Sequence, residues 1–208
     1  MYLQVGKNLN PYALDYPVCV EDSPAKYGRN QRNWLLRHSV QSEEVKKAIG
    51  LEPEASYEPC ADDYLTSYLN RADVKSAIHV RSDIEWADCS RTLRYDQKDG
   101  STSMVPIYQY LINGGYNLDI LVFSGDDDSV CSTVGTQSWI WDMGYKTTGK
   151  PWVPYIVNQQ TAGYLTKWAD NKFSFLTIHG AGHEVPSYKP EAALQMWNDY
   201  IDGKLTSK

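Results

Sequence analysis

The chain has 208 residues, of which 42% are apolar and 22% charged, and its formal net charge is −6. That length suffices for one domain with a buried core, and the composition excludes an intrinsically disordered chain. No apolar run approaches the ~20 residues of a membrane-spanning helix, and a negative charge without a Lys/Arg cluster argues against a general nucleic-acid binder.

The first hundred residues predict mainly loops, because they are rich in proline and acidic residues and lack a regular apolar pattern. Two short helices interrupt these loops. One covers residues 42–50, with Ser42 as its N-cap and Gly50 as its stop. The other covers residues 70–80, with Asn70 as its N-cap and an acid three residues later. The N-terminus lacks the basic and apolar regions of a signal peptide.

Beyond residue 100 the pattern becomes regular, and helices alternate with short apolar strands. The predicted elements are a helix over 104–115, a buried strand over 118–125, a helix over 132–143, a hairpin over 150–168, a buried strand over 172–180 and a terminal helix over 189–204. This order predicts an α/β fold in which one edge of a parallel sheet carries helices on both faces.

Two loops of this pattern combine ionisable residues with glycines, and each follows a predicted buried strand. The first loop contains Asp126, Asp127 and Asp128, and the second contains His179 and His183. Functional groups of such sheets gather beyond the carboxyl ends of the strands. An acid that orients a histidine supplies two of the three members of a Ser-Asp-His triad, and the order of acid before histidine is that of α/β-hydrolases.

Other interpretations of these loops are weaker. The acidic run also fits a solvated turn, and it lacks the remaining ligands of a calcium loop. A histidine pair four residues apart can bind a metal from one face of a helix, but the intervening glycines disfavour a helix. We therefore expect no metal, and we assign His179 as a packed residue at the strand end and His183 as the residue with chemistry.

Two long segments surround the acids and the histidines, "LVFSGDDDSVCSTVGTQSWI" and "FLTIHGAGHEVPSYKPEAALQMW". Three further stretches, in order, are "YPVC" with "YEPC", "YLNRADVKSAIHV" and "SMVPIYQYLINGGYNLDILVFSGD". Together these segments resemble the serine carboxypeptidase family of cathepsin A and carboxypeptidase Y, and the first two are similar to the aspartate and histidine segments of that family. The resemblance implies the C-terminal portion of an α/β-hydrolase fold. It places residues 1–70 in part of the cap insertion and residues 71–208 in the C-terminal part of the core.

The resemblance also implies roles for single residues. It makes Asp128 the catalytic acid of the triad and His183 the general base. It places Val130 and Cys131 against the side chain that precedes the scissile bond, with Cys131 as a free thiol. Glu184 would contact the terminal side chain of the substrate and favour basic residues there. It implies no metal and no cofactor.

The other two acids of the first loop have lesser roles by the same resemblance. Asp126 corresponds to a structural acid of the loop. Asp127 falls at a position that varies in the family.

The nucleophile of the family is missing from this sequence. The family carries it in a G-E-S-Y-A-G segment and forms its oxyanion hole from N-G-G-P-G-C, and neither segment occurs here, nor does any G-x-S-x-G. We therefore expect the chain alone not to hydrolyse peptides. It would be the smaller chain of a matured two-chain enzyme, an expressed fragment or a truncated natural product, and the family's habit of maturation favours the first.

The four cysteines never form a C-x-x-C pair, which makes a structural zinc site improbable, and spacing alone leaves any disulfide connectivity open. By resemblance, Cys19 pairs with Cys60, and Cys89 pairs with a cysteine of the N-terminal chain that bears the serine. Such a framework implies the secretory pathway, with the vacuole, the lysosome or the exterior as destination.

Two other functions stay open at this point. The same scaffold serves acyltransferases and hydroxynitrile lyases in this family. A non-catalytic binding or protective subunit is the alternative from another class, although the retained acid and histidine argue against it. The expected ligand is a peptide, and the expected partner is the serine-bearing chain, without nucleic acid or membrane.

Overall fold

The computed structural model describes residues 9–16, 18, 57, 61–87 and 92–205. These residues fall into two compact units. The first unit holds residues 9–16, residue 57 and residues 104–205, and the second holds the remainder. The predicted helix over 42–50 lies outside the described residues. The division into cap and core stays a prediction.

The second unit is helical, and the side chain of Asn70 joins two of its segments by hydrogen bonds. The sequence predicts Asn70 as an N-cap, but Arg71 occupies that position and its side chain makes no capping bond. Asn70 Oδ1 instead accepts from the Trp86 amide at 2.8 Å, and its Nδ2 donates to the Trp86 carbonyl at 2.9 Å. The N-cap prediction was wrong because this longer-range pair of bonds holds the amide side chain. The helices of the unit are α1 (Ala61–Leu69), α2 (Ala72–Ala77) and α3 (Gln97–Gly100).

The first unit contains every element that the sequence predicts beyond residue 100. Pro106 lies in the first turn of the first helix, and Ser132 caps the second by accepting from the Gly135 amide at 3.2 Å. The elements are α4 (Val105–Asn113), β1 (Ile120–Gly125), α5 (Thr133–Asp142), β2 (Val153–Val157), β3 (Gln160–Trp168), β4 (Phe173–Ile178), α6 (Val185–Tyr188) and α7 (Pro190–Ile201).

The four strands form one mixed sheet in the order β1-β4-β3-β2. β1 pairs with β4 in parallel, whereas β4, β3 and β2 pair antiparallel, because β2 and β3 are a hairpin. The predicted parallel edge is thus the β1–β4 pair. In its register Gly125 lies opposite Ile178, so both strands end at the same level. The loops that follow them therefore emerge side by side.

β4 is the centre of the core, and all six of its residues are buried. Its side chains alternate between the two faces of the sheet. Phe173 and Phe175 pack with residues of α4 and α5 on one face. Leu176 and Ile178 pack with residues of α7 on the other. Helices on both faces of the sheet are the layering expected of an α/β fold.

The outer parts of this unit expose apolar side chains. β1 is the end strand of the sheet, and Phe123 at its middle is half exposed. Leu194, Trp197 and Ile201 of α7 are also exposed, and their spacing places them on one side of the helix. Within the part of the chain that is described, no helix is long and apolar enough to cross a membrane.

Candidate catalytic site

The loops after β1 and β4 are bonded to each other through their backbones. The Asp127 amide donates to the Ala181 carbonyl at 2.9 Å, and the Asp126 amide donates to the Ile178 carbonyl at 3.2 Å. Gly125 allows this approach, because a Cβ there would lie 2.2 Å from the Ala181 carbonyl oxygen. The glycine before the acidic run therefore brings the acids next to the histidine loop.

Asp128 and His183 form a hydrogen-bonded pair between these loops. Their Oδ2 and Nδ1 atoms are 2.7 Å apart, and the Asp128 side chain is only 3% exposed. The carboxylate also accepts from the amides of Val130 at 2.8 Å and Cys131 at 3.3 Å. Three donors thus surround a buried anion, which is the condition under which a charge can be held away from water.

The geometry sets what the imidazole can do. With Nδ1 facing the carboxylate, the neutral ring of His183 carries its proton on Nδ1 and leaves Nε2 as an acceptor. The His183 side chain is 39% exposed, so the imidazole is partly open to solvent. A buried acid that fixes the tautomer of a reachable imidazole is the acid–base arrangement of hydrolase triads.

A segment far from these loops in sequence also contacts the pair. The His183 amide donates to the Tyr12 carbonyl at 2.7 Å, and the Tyr12 ring lies 5.4 Å from the imidazole between centroids. Gly182 is pressed against the same segment, since a Cβ there would lie 2.4 Å from the Tyr12 carbonyl oxygen. Sequence reasoning missed Tyr12, because its hydrogen bond to His183 runs through a backbone carbonyl and no motif marks its ring contact.

Three tyrosine rings pack together next to the histidine loop, the loop that follows β4. Tyr188 stacks on Tyr57 at 4.7 Å and meets Tyr16 edge-on at 4.7 Å. The Tyr16 hydroxyl donates to the Gly180 carbonyl at 2.8 Å. Burial, and then the hydrogen bond with Tyr57, raise the pKa of Tyr188 well above its usual range. The hydroxyl is therefore neutral at physiological pH.

A second acid–histidine pair joins the same loops. His179 Nδ1 lies 2.8 Å from Asp126 Oδ2, and Asp126 Oδ1 accepts from the Gly180 amide at 2.7 Å. The sequence predicts His179 as a packed residue, but its side chain is 75% exposed. That prediction was wrong because β4 ends at Ile178, so His179 lies beyond the sheet and turns outward to Asp126.

The remaining predicted site residues lie beside the buried pair or directly after it in sequence. Val130 and Cys131 are exposed next to Asp128, and Cys131 is a free thiol. Atoms of Cys131, Asp128 and His183 all lie within 4.8 Å of one another. Glu184 is exposed and accepts from the Ser187 hydroxyl at 3.3 Å. Their roles toward a substrate stay predictions.

The predicted disulfides cannot be followed in the structure. Cys19, Cys60 and Cys89 all lie outside the described residues. The pairing of Cys19 with Cys60 and the link from Cys89 to another chain thus stay predictions.

Known proteins are similar to this sequence over nearly its whole length. A family model described as serine carboxypeptidase matches residues 3–203. Serine carboxypeptidase-like 25 of Arabidopsis thaliana is 31% identical over 204 residues, which cover 97% of this chain and 41% of that protein. Serine carboxypeptidase 24 of the same plant is 30% identical, over 95% of this chain and 40% of that protein. The chain thus spans about two fifths of the length of these relatives.

A solved structure is similar in fold. It is a prohormone-processing carboxypeptidase from Saccharomyces cerevisiae, with a TM-score of 0.54 and 18% sequence identity. The match covers 94% of this chain and 36% of that one. The fold of this chain is therefore the C-terminal portion of an α/β-hydrolase fold, as the sequence predicts.

Proposed function

Because this chain belongs to the serine carboxypeptidase family, we propose that it supplies the acid and base of a Ser-Asp-His triad that releases C-terminal amino acids from peptides. The hydrogen bond between buried Asp128 and reachable His183 carries this proposal. The sequence contains no G-x-S-x-G segment. The nucleophilic serine would therefore lie in polypeptide outside these 208 residues, and the 208 residues alone would be inactive.

The chemistry assigns each atom of the pair one task. Nε2 of His183 takes the proton of the serine hydroxyl while the serine oxygen bonds to the scissile carbonyl carbon. The Nδ1–H bond to Asp128 stabilises the imidazolium that forms. The imidazolium then gives its proton to the leaving amine, and the peptide bond breaks. A water molecule repeats the sequence on the acyl-enzyme, which frees the shortened peptide and the serine. No step requires a metal or a cofactor.

The partner polypeptide would dock at the outer edge of β1. An edge strand offers a row of backbone donors and acceptors to another strand, and among the described residues β1 is the end strand of the sheet, with Phe123 half exposed. A strand added there would end beside the acid loop, next to Asp128 and His183. The exposed apolar side of α7 gives such a partner further surface to cover.

The pocket roles of the neighbouring residues form part of the proposal. Val130 and Cys131 bind the Asp128 carboxylate through their amides, and Cys131 Sγ lies within 4.8 Å of the pair. Their side chains would form the wall that faces the residue before the scissile bond. Glu184, directly after the base, would favour basic terminal residues. The rates of release of C-terminal Arg and Leu test this: their ratio should fall in Glu184→Gln, and an unchanged ratio contradicts the role.

The cysteines would join this chain to the serine-bearing chain, and their disulfides would indicate an oxidising compartment. We propose a disulfide between Cys19 and Cys60, a bridge from Cys89 to the serine-bearing chain, and residence in the vacuole, lysosome or exterior. Electrophoresis of the native protein without and with reductant tests this. A larger species that separates into two chains on reduction supports the bridge, and a species of unchanged size contradicts it.

Release of C-terminal amino acids tests the function itself. The native protein that contains this chain, at acidic pH, should shorten a peptide by one residue at a time. Added acyl acceptors should compete with water without abolishing hydrolysis. Acyl transfer without hydrolysis would assign the chain to an acyltransferase instead. No turnover of peptide or ester would favour a binding subunit.

A further inference from the structure

We infer that residues 10–16 form a clamp that positions Asp128 and His183 toward each other, and that Asp127 is a positioning residue of this clamp. The clamp bonds to both loops of the candidate site, although it lies more than a hundred residues before them in sequence. Its part in catalysis rests on the proposed function, whereas its effect on the geometry of the pair does not.

The clamp holds Asp128 through both of its sequence neighbours. On one side, the Leu14 amide donates to the Asp127 carbonyl at 3.0 Å, and the Asp15 amide donates to Asp127 Oδ2 at 2.9 Å. On the other side, the Ser129 amide and hydroxyl donate to the Pro11 carbonyl at 3.0 and 2.5 Å. The backbone of the catalytic acid is thus fixed before and after it.

The same clamp holds the histidine loop. Two bonds reach that loop, one from the His183 amide to the Tyr12 carbonyl and one from the Tyr16 hydroxyl to the Gly180 carbonyl. Ala13 between them is fully buried, and its Cβ would lie 2.6 Å from a side chain at Gly182. The two loops that carry the donor and the acceptor of the 2.7 Å bond between Asp128 and His183 are therefore both bonded to the same short segment.

The clamp also has hydrogen bonds within itself. Asn10 Oδ1 accepts from the Tyr12 amide at 3.0 Å, the Asn10 carbonyl accepts from the Ala13 amide at 3.2 Å, and the Ala13 carbonyl accepts from the Tyr16 amide at 3.1 Å. Such local bonds lower the entropy lost when the segment binds the loops. A rigid clamp can fix a hydrogen bond more closely than either loop alone. A displacement of ~1 Å in a catalytic group can cost about a hundredfold in rate.

The clamp thus gives Asp127 a positioning role, although its position varies in the family that the sequence resembles. Its side chain is the acceptor for the Asp15 amide. Asparagine keeps a carbonyl oxygen for that amide, whereas alanine removes the acceptor and leaves the backbone bonds. The two substitutions therefore separate loss of the acceptor oxygen from loss of the charge.

Histidine NMR on the native protein, labelled with ¹⁵N-histidine, tests the clamp independently of catalysis. The signal is the Nδ1–H proton of His183, assigned by its loss in His183→Ala. We expect a slowly exchanging proton in the wild type and in Asp127→Asn, and at least about tenfold faster exchange in Asp127→Ala, since the bond to Asp128 opens more often. Asp142→Ala, which removes an exposed acid at the end of α5, serves as control.

Turnover gives the second readout. If the proposed function holds, Asp127→Ala should lower kcat about tenfold with KM within twofold, and Asp127→Asn should restore it. Unchanged proton exchange in Asp127→Ala overturns the clamp, whatever the activity. An inactive wild-type protein with the expected exchange pattern overturns the proposed function and leaves the clamp standing.

A folding failure of Asp127→Ala does not end the test. Ser129→Ala removes only the hydroxyl bond to the Pro11 carbonyl and keeps the amide bond. We expect a smaller but measurable rise in the exchange of the same proton, about two- to threefold, and no rise contradicts the clamp.

Discussion

Two aspartate–histidine pairs join the same two loops, and their hydrogen bonds are nearly equal in length, 2.7 Å for Asp128–His183 and 2.8 Å for Asp126–His179. Their surroundings differ. The Asp128 side chain is 3% exposed, whereas that of Asp126 is 37% exposed and its histidine 75%. Water can compete for the bond of the exposed pair, whereas the carboxylate of the buried pair is shielded from that competition. The pair proposed for catalysis is thus distinguished by the burial of its carboxylate and the backbone amides that bind it, and not by the length of its hydrogen bond.

The largest effect should come from the histidines. In the native enzyme, His183→Ala removes the base and should lower kcat at least ~10³-fold, while His179→Ala, as the matched control, should change it less than about threefold. Initial rates of C-terminal amino-acid release measure both. Equal losses in the two variants would erase the distinction between the pairs.

Substitutions of the two aspartates should differ in their effect on kcat in the same way as those of the two histidines. Asp128→Asn keeps the shape but puts an amide opposite Nδ1, which favours the wrong tautomer, and should cost about 10³- to 10⁴-fold in kcat. Asp126→Asn should cost less than about threefold, because it alters only an exposed bond. A loss below tenfold in Asp128→Asn would show that the buried carboxylate does not orient the base.

Gly125→Ala should disturb both pairs together. The added Cβ would lie 2.2 and 2.4 Å from the carbonyl oxygens of Ala181 and Gly182, so the loops must separate. We expect a loss of about 2–3 kcal/mol in the free energy of unfolding, measured with denaturant. Gly135→Ala is the control, since the nearest described atom to its Cβ would be the Ser132 hydroxyl at 3.2 Å within a helix. Equal stability of the two variants contradicts the close packing of the loops.

The smallest expected effect is on the pH dependence of the free energy of unfolding, to which the buried Tyr188 next to the histidine loop contributes. Since burial raises the pKa of Tyr188 in the folded state, its contribution to stability is full below the unfolded value of about 10 and is lost as the pH rises above it. The free energy of unfolding should therefore fall above pH ~10. Tyr188→Phe should make that fall shallower without removing it, because burial also raises the pKa of Tyr155. An identical pH dependence in the variant would show that Tyr188 ionises freely.

The sequence predicted the parts of the molecule whose signals are local. Apolar runs located β1 and β4, and glycines with ionisable residues located the loops that bring Asp128 to His183. The orientation of His179 was missed because its run of apolar neighbours hides where β4 ends. The clamp was missed for a different reason: its bonds pass mainly through backbone groups of residues 10–16, and such bonds leave no side-chain pattern to detect at long range.

Labelling with a fluorophosphonate tests the central claim most directly, that this pair activates a serine outside these 208 residues. In the native protein, the reagent should label one serine on polypeptide outside this chain's sequence, located by peptide mapping. In His183→Ala the rate of labelling should fall by at least about a hundredfold, because the serine loses its base. Labelling of a serine within these 208 residues, or an unchanged rate in His183→Ala, would contradict the claim.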